Sequence, residues 1–224
     1  MKAYAMAMAA VAVVGGWAVA GAGVVRGVVR IPAGAQSSTS APNAYPGRAA
    51  SLAHVAPVQR GSAADAVVSI ERIPAATETT LARVKRPVPQ MAQKDQAFVP
   101  RVLAVAVGAA VDFPNLDPIF HNVFSVSPVK RFDLGKYPRG HSKRLIFGKA
   151  GLVQVYCDIH ANMAGYILVL PNHAFARPDS DGAFVLPELP AGAYRLRIWH
   201  PDLPEVRREV EVPSSGDVRV DVSF

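Results

Sequence analysis

The segment Cys157-Asp158-Ile159-His160-Ala161-Asn162-Met163 carries a thiol, an imidazole and a thioether at C-x2-H-x2-M spacing. Cys157 is the only cysteine in the chain, so no internal disulfide can form. The residue reads as a buried structural thiol, a nucleophile or a metal ligand. A nucleophile needs a general base and an oxyanion hole, and a histidine on the same short loop is a weak substitute for them. A thiolate, an imidazole and a weaker thioether together suit copper, the sulfur and nitrogen donors forming a trigonal set and the thioether an axial one. Such a set needs a second imidazole. His121 can supply it, because it follows the polar stretch Asn115-Leu116-Asp117-Pro118 and opens a strand. In a Greek-key sandwich, strands distant in sequence lie side by side, so His121 can reach the 157–163 turn. The other histidines, His54, His141, His173 and His200, have no partner at ligand spacing and read as surface residues.

The elements that must hold these side chains are strands. In Leu152-Val153-Gln154-Val155-Tyr156-Cys157 side chains alternate between faces, which points Val153, Val155 and Cys157 the same way, into a core. Short runs rich in β-branched residues occur at 24–31, 66–70, 102–107, 110–113, 145–147 and 166–170, with Pro and Gly in nearly every gap. Residues 32–64 have the Ala, Ser, Pro, Gly and Asn composition of a surface loop. After the first 22 residues no long stretch has a helical period. An all-β sandwich or barrel is therefore expected.

From Phe98 to Leu170 the sequence resembles the cupredoxins, the small blue-copper proteins. The resemblance rests on F-V-P-x-x-L-x-V-x-V-G-x-x-V-D-F-P-N-x-D-x-x-x-H-N-V, from Phe98 to Val123, and on Y-C-D-I-H-A-N-M-A-G-Y, from Tyr156 to Tyr166. The short ligand loop is similar to that of amicyanin. The resemblance implies a Greek-key β-sandwich over 80–171 holding one copper ion, Cu(I) or Cu(II). It implies Nδ1 of His121 and His160 and the Cys157 thiolate as equatorial ligands, with Met163 as the axial one. It also implies that Asn122 ties the His121 strand to the cysteine loop near Asp158, and that an apolar patch surrounds His160, drawn from Ile159, Ala161, Met163 and Ala164, some of which pack inside instead. A second resemblance lies at the C-terminus. Asp179-Ser180-Asp181-Gly182-Ala183-Phe184, followed by Leu189-Pro190-Ala191-Gly192-Ala193-Tyr194-Arg195-Leu196, resembles the carboxypeptidase regulatory-like domain, a small transthyretin-like β-sandwich. That family begins with two strands before this hairpin. Segments 24–31 and 66–72 fit them, so the expectation is a discontinuous sandwich of 24–75 with 172–224, interrupted by the copper unit. Proteins with this joint architecture are often labelled methylamine-utilisation proteins, which leaves the pathway open.

Residues 1–22 have one early charge, Lys2, and then an unbroken apolar run with small residues at 18, 20 and 22, the pattern of a cleaved secretory signal. The expectation is a periplasmic or otherwise exported protein, with no membrane span in the mature chain. Export and the lack of any nucleic-acid motif exclude nucleic acid as a partner. The formal charge of +7 favours acidic partners. Lys130, Arg131, Lys136, Arg139, Lys143, Arg144 and Lys149 lie in a stretch whose only acid is Asp133. They read either as a solvated face or as a steering surface for a redox protein such as a c-type cytochrome or a dehydrogenase. Copper oxidases and nitrite reductases use additional histidine clusters with H-x-H motifs, and the chain has none, so no catalysis is expected. Single-electron transfer leads the functional reading. Copper storage or delivery by the same ligands, and a metal-free binding module at the cell envelope, stand beside it.

Overall fold

The computed structural model describes residues 21–32 and 61–224. Nearly all of the expected signal segment, most of the expected 32–64 loop, and His54 lie outside the described residues. In chain order the elements begin with β1 (Ala22–Arg30), β2 (Val67–Ile70) and α1 (Ala75–Ala82). A run of nine strands follows: β3 (Ala92–Lys94), β4 (Ala97–Val99), β5 (Val102–Ala106), β6 (Ala110–Pro114), β7 (His121–Ser125), β8 (Phe132–Tyr137), β9 (Ser142–Ile146), β10 (Gly151–Tyr156) and β11 (Ala164–Leu170). The last are β12 (Phe175–Ala176), β13 (Ala183–Val185), β14 (Leu189–Pro190), β15 (Gly192–His200), β16 (Leu203–Val212), β17 (Asp217–Arg219) and β18 (Val222–Ser223). The architecture is all-β, as the alternation and the turn residues imply.

The middle strands build a five-stranded sheet in the order β5-β11-β10-β7-β8, faced by the two-stranded pairs β6-β9 and β3-β4. Between them lies a core that includes Phe98, Val105, Phe113, Val123, Phe147, Val155 and Ile167, and that also contains Cys157 and Met163. The rings of Phe113, Phe132 and Phe147 sit 6.1 to 6.5 Å apart, tilted or edge-on as aromatic quadrupoles prefer. The other strands build two further sheets. In one, β1 pairs with β13, β14, β17 and β18; in the other the order is β12-β2-β15-β16. Their shared core includes Val25, Val29, Val68, Ile70, Phe184, Leu196 and Ile198.

The run Tyr166-Ile167-Leu168-Val169-Leu170 does not alternate with polar residues, and the packing explains why. Ile167 and Val169 enter the core shared with Cys157, whereas Tyr166, Leu168 and Leu170 pack outward against Val67, Phe175 and Trp199. β11 is thus buried on both faces, the condition that yields a continuous apolar strand.

Several sequence expectations shift. The 145–147 strand is Ser142–Ile146, paired along its length with β6. A helix, α1, was not expected. Only Leu81 of its eight residues is buried, so it offers no apolar period to read. Gly182, in the Asp-Gly turn, has φ of +83°, and the Asp179 carboxylate closes the turn by accepting the backbone N–H groups of Asp181 and Ala183.

Candidate metal centre

β10 and β11 form an antiparallel hairpin whose last pair is Tyr156 with Ala164, so residues 157–163 close it. Within that turn Cys157 N–H donates to the Met163 carbonyl at 3.2 Å, and Met163 N–H donates to the His160 carbonyl at 3.0 Å. On its other side β10 pairs with β7 through Tyr156 and Phe124. Followed past that pair, the antiparallel register carries His121, three residues before Phe124, alongside the turn.

The result is a compact cluster. Cys157 Sγ lies 3.8 Å from Nδ1 of His121 and 3.7 Å from Nδ1 of His160. One donor atom from each of the three residues lies within 4.8 Å of the others, and the imidazole rings are 4.7 Å apart between centroids. His121 is fully buried and Cys157 nearly so; His160 is half-buried. Met163 is buried in the same core cluster as Cys157. Three of the four sequence-predicted donor atoms are therefore gathered at one end of the sheet, and Met163 closes the same turn.

A thiol proton can serve only one of the two imidazole nitrogens, so the second approach requires either a ring N–H donated to the sulfur or a metal ion shared by all three. Asp117 sharpens the point. Its carboxylate lies 2.7 Å from Nε2 of His121, and a carboxylate accepts, which places the ring proton on Nε2 and leaves the Nδ1 lone pair facing the sulfur. Burial opposes charge on Asp117, but N–H donation from Gln96 and Asp95, together with His121, holds its carboxyl below the usual range. Burial, and then the adjoining His121, lowers the pKa of His160 and keeps that ring neutral, the form that ligates. Metal–sulfur and metal–nitrogen bonds of about 2.3 and 2.0 Å, arranged trigonally, separate sulfur from nitrogen by about 3.7 Å. The observed spacings match that separation. The His-Cys-His donors fit a thiophilic transition-metal ion.

Asn122 does not form the expected tie. It is buried with its Oδ1 unpartnered, and no hydrogen bond from its side chain to Asp158 is present. Lys136, paired with Asn122 across β7 and β8, reaches Asp158 instead, at 3.7 Å. The apolar residues around His160 divide between surface and interior, as expected. Ile159 and Ala161 are exposed, but Met163 is buried and Ala164 partly so. Leu116, Ile119 and Phe120, just before His121, are exposed apolar residues as well. Asn115 fixes that loop: its side chain donates to the carbonyls of Ile119 and Tyr137 and accepts from the Asp117 N–H.

No family model matches the chain, and no curated protein matches it. Among solved structures, it is similar to the Cu-containing nitrite reductase from Thermus scotoductus SA-01, at 29% identity over 38% of this chain and 23% of that one, with a TM-score of 0.36. It is similar to an amicyanin variant in its reduced Cu(I) form, at 23% identity over 47% of this chain and 98% of that one, with a TM-score of 0.35. A purple cupredoxin from Nitrosopumilus maritimus shares 22% identity over 36% of this chain and 98% of its own, with a TM-score of 0.34. The chain thus spans less than a quarter of the nitrite reductase.

Two histidines depart from the surface assignment. His200 is buried, its Nδ1 accepting the Asp202 N–H at 3.1 Å and its Nε2 lying 3.3 Å from the Ser62 carbonyl. His173 is partly buried, its Nδ1 2.6 Å from a carboxylate oxygen of Glu78. His141 is exposed, as expected. Asp117 had no assigned role in the sequence, although a carboxylate four residues before a strand-opening histidine was visible there. Among the described residues, no helix is long and apolar enough to cross a membrane.

Proposed function

We propose that the chain is an exported type 1 copper protein that carries single electrons between redox partners and catalyses no reaction of its own. The observation that carries this reading is the meeting of one buried sulfur and two Nδ1 atoms, from a remote strand and a tight turn, at 3.7 and 3.8 Å. Copper bound there would supply the one-electron couple. His121, Cys157 and His160 would hold it, with Met163, fixed on the same turn, as the axial donor.

The chain's own part is to keep these donors still. Asp117 orients His121, the Cys157 and Met163 backbone groups lock the turn, and the surrounding core excludes water. Donors that barely move lower the reorganisation that accompanies electron transfer. His160, half-buried next to exposed Ile159, and the exposed Leu116, Ile119 and Phe120 just before His121 would mark the side where a partner docks. Exposed Lys136, Lys143 and Arg144 would steer one with an acidic rim, such as a c-type cytochrome or a dehydrogenase. The apolar leader over 1–22 supports export. The pairing of β1 and β2 with strands beyond residue 170 supports a discontinuous second sandwich, 24–75 with 172–224, of the carboxypeptidase regulatory-like type.

The test is the visible spectrum of the protein with one equivalent of Cu(II). An intense thiolate-to-copper band is expected, absent in Cys157→Ser, together with a reversible one-electron wave. Stoichiometric copper uptake without a reversible wave would favour storage or delivery. No uptake at all would leave a metal-free binding module.

A further inference from the structure

A cleft of about 370 Å³ opens where the two sandwich units meet, away from the metal centre. One wall comes from the segment after α1, with Val84 and Val88; a second comes from Ala104 and Ala106 of β5; Phe175 of β12 closes a third. Leu170 pairs with Ala106 at this end of β11, whereas Ala164 at the other end adjoins the metal-binding turn. Seven residues of strand separate the two places by about 20 Å. Cavities of this size, apolar and set between structural units, with few and well-placed polar groups, are where small molecules bind.

Two polar side chains line the cleft, and both are held. Arg86 donates one guanidinium nitrogen to the carbonyls of Leu81 and Val84, at 2.8 and 3.4 Å, and so closes the C-terminal end of α1. His173 is clamped by Glu78, whose two carboxylate oxygens take its backbone N–H at 2.9 Å and its Nδ1 at 2.6 Å. A carboxylate on Nδ1 fixes the ring proton there and leaves Nε2 as an acceptor. At the ring the negative charge of Glu78 disfavours an anionic head group, and Arg86, the cation lining the cleft, is drawn to the carbonyls at the end of α1.

We propose that this cleft binds a compact apolar molecule bearing one neutral hydrogen-bond donor, a phenol being the simplest, with the hydroxyl donating to Nε2 of His173 and the ring lying against the aliphatic walls. A site built around an oriented acceptor discriminates against an analogue that lacks the donor, because the acceptor is then left unpaired.

The test is a nitrogen-15 NMR titration of the full-length protein with 4-ethylphenol, its methyl ether and 4-ethylbenzoate. Saturable shifts are expected at the amides of Ala104, Ala106 and Phe175, with 4-ethylphenol binding about tenfold more tightly than the ether. His173→Phe should erase that preference while leaving the apolar contacts. Absence of saturable shifts in the wild-type protein, or equal affinities for phenol and ether, overturns the proposal. Tighter binding of the benzoate overturns the neutral-donor assignment. The wild-type comparison decides even if the variant fails to fold, and none of it depends on copper.

Discussion

Asp117 decides what His121 can do. By accepting a hydrogen bond from Nε2–H it presents Nδ1 to the sulfur, and it is itself anchored by the backbone N–H groups of Asp95 and Gln96 at 2.6 and 2.9 Å. Carboxylates behind ligating histidines govern metal affinity more than their distance from the metal would imply. Asp117→Ala should therefore weaken copper binding by about 10- to 100-fold, read by competition with a copper-chelating dye. An unchanged affinity would mean that packing alone orients the ring. At this scale the sequence was legible wherever residue type and local spacing carried the information. Cys157, His160 and Met163 share one turn, and His121 opens a strand. The roles of Asp117 and His200 were not legible, because each depends on a loop closing back or on a partner 138 residues away, as for His200 and Ser62.

Among the elements, β1 shows most plainly how a sequence choice fixes a pairing. It runs antiparallel to β13 and β14 and parallel to β17 and β18, so neighbours crowd it on both edges. At Gly27 a Cβ would stand 1.9 Å from the Val220 carbonyl oxygen, a backbone atom that cannot swing aside. Gly27→Ala should destabilise the protein by about 1–3 kcal/mol, the range for forced overpacking, in urea unfolding followed by circular dichroism. A neutral result would place β1 off the C-terminal strands. The apolar runs of β2, β5, β10 and β11 announced themselves through β-branched content, and Pro and Gly marked their ends. β16 and β8 were missed because their faces are largely exposed and carry charged or mixed residues, which leaves no alternation to read. α1 was missed because it buries a single residue.

Across the whole molecule, the sheet that carries the 157–163 turn rests on the second sandwich through a shared seam. Val102, Tyr166, Leu168 and Leu170 meet Val67 and Trp199 there. Arg101 crosses the same seam with two hydrogen bonds of 2.8 Å to Asp202 and one of 3.0 Å to Asp65, beneath the Tyr166 ring. Burial works against its charge, yet the two carboxylates outweigh it and raise the guanidinium pKa further. The seam follows from the chain path. β2 lies between β12 and β15, and β1 binds β13, so residues 172–224 lack the strands that complete both of their sheets. Expressed alone, that fragment should give the collapsed amide dispersion of an unfolded chain. A dispersed spectrum would show that the sandwich is contiguous and that β1 and β2 belong with residues 80–171.

His200 makes the same seam sensitive to pH. Its ring is buried beside Asp202, Asp65 and Arg101, against Phe224 and the Ser62 carbonyl, and Nδ1 is committed as an acceptor of the Asp202 N–H. Protonation would put a second hydrogen against that N–H in a desolvated site, and burial lowers the His200 pKa despite the attraction of Asp202. The unfolded chain, with an ordinary histidine pKa near 6.5, binds a proton that the folded chain refuses. His200 therefore contributes stability above about pH 6.5, and that contribution drains away as pH falls towards the depressed folded value. Urea unfolding of the copper-free protein at pH 7.5 and 5.5 should show a larger loss for wild type than for His200→Gln, because every other titrating group, His160 included, is common to both. Equal losses would mean that the folded seam admits an imidazolium, and that the Asp202 N–H contact does not fix the ring.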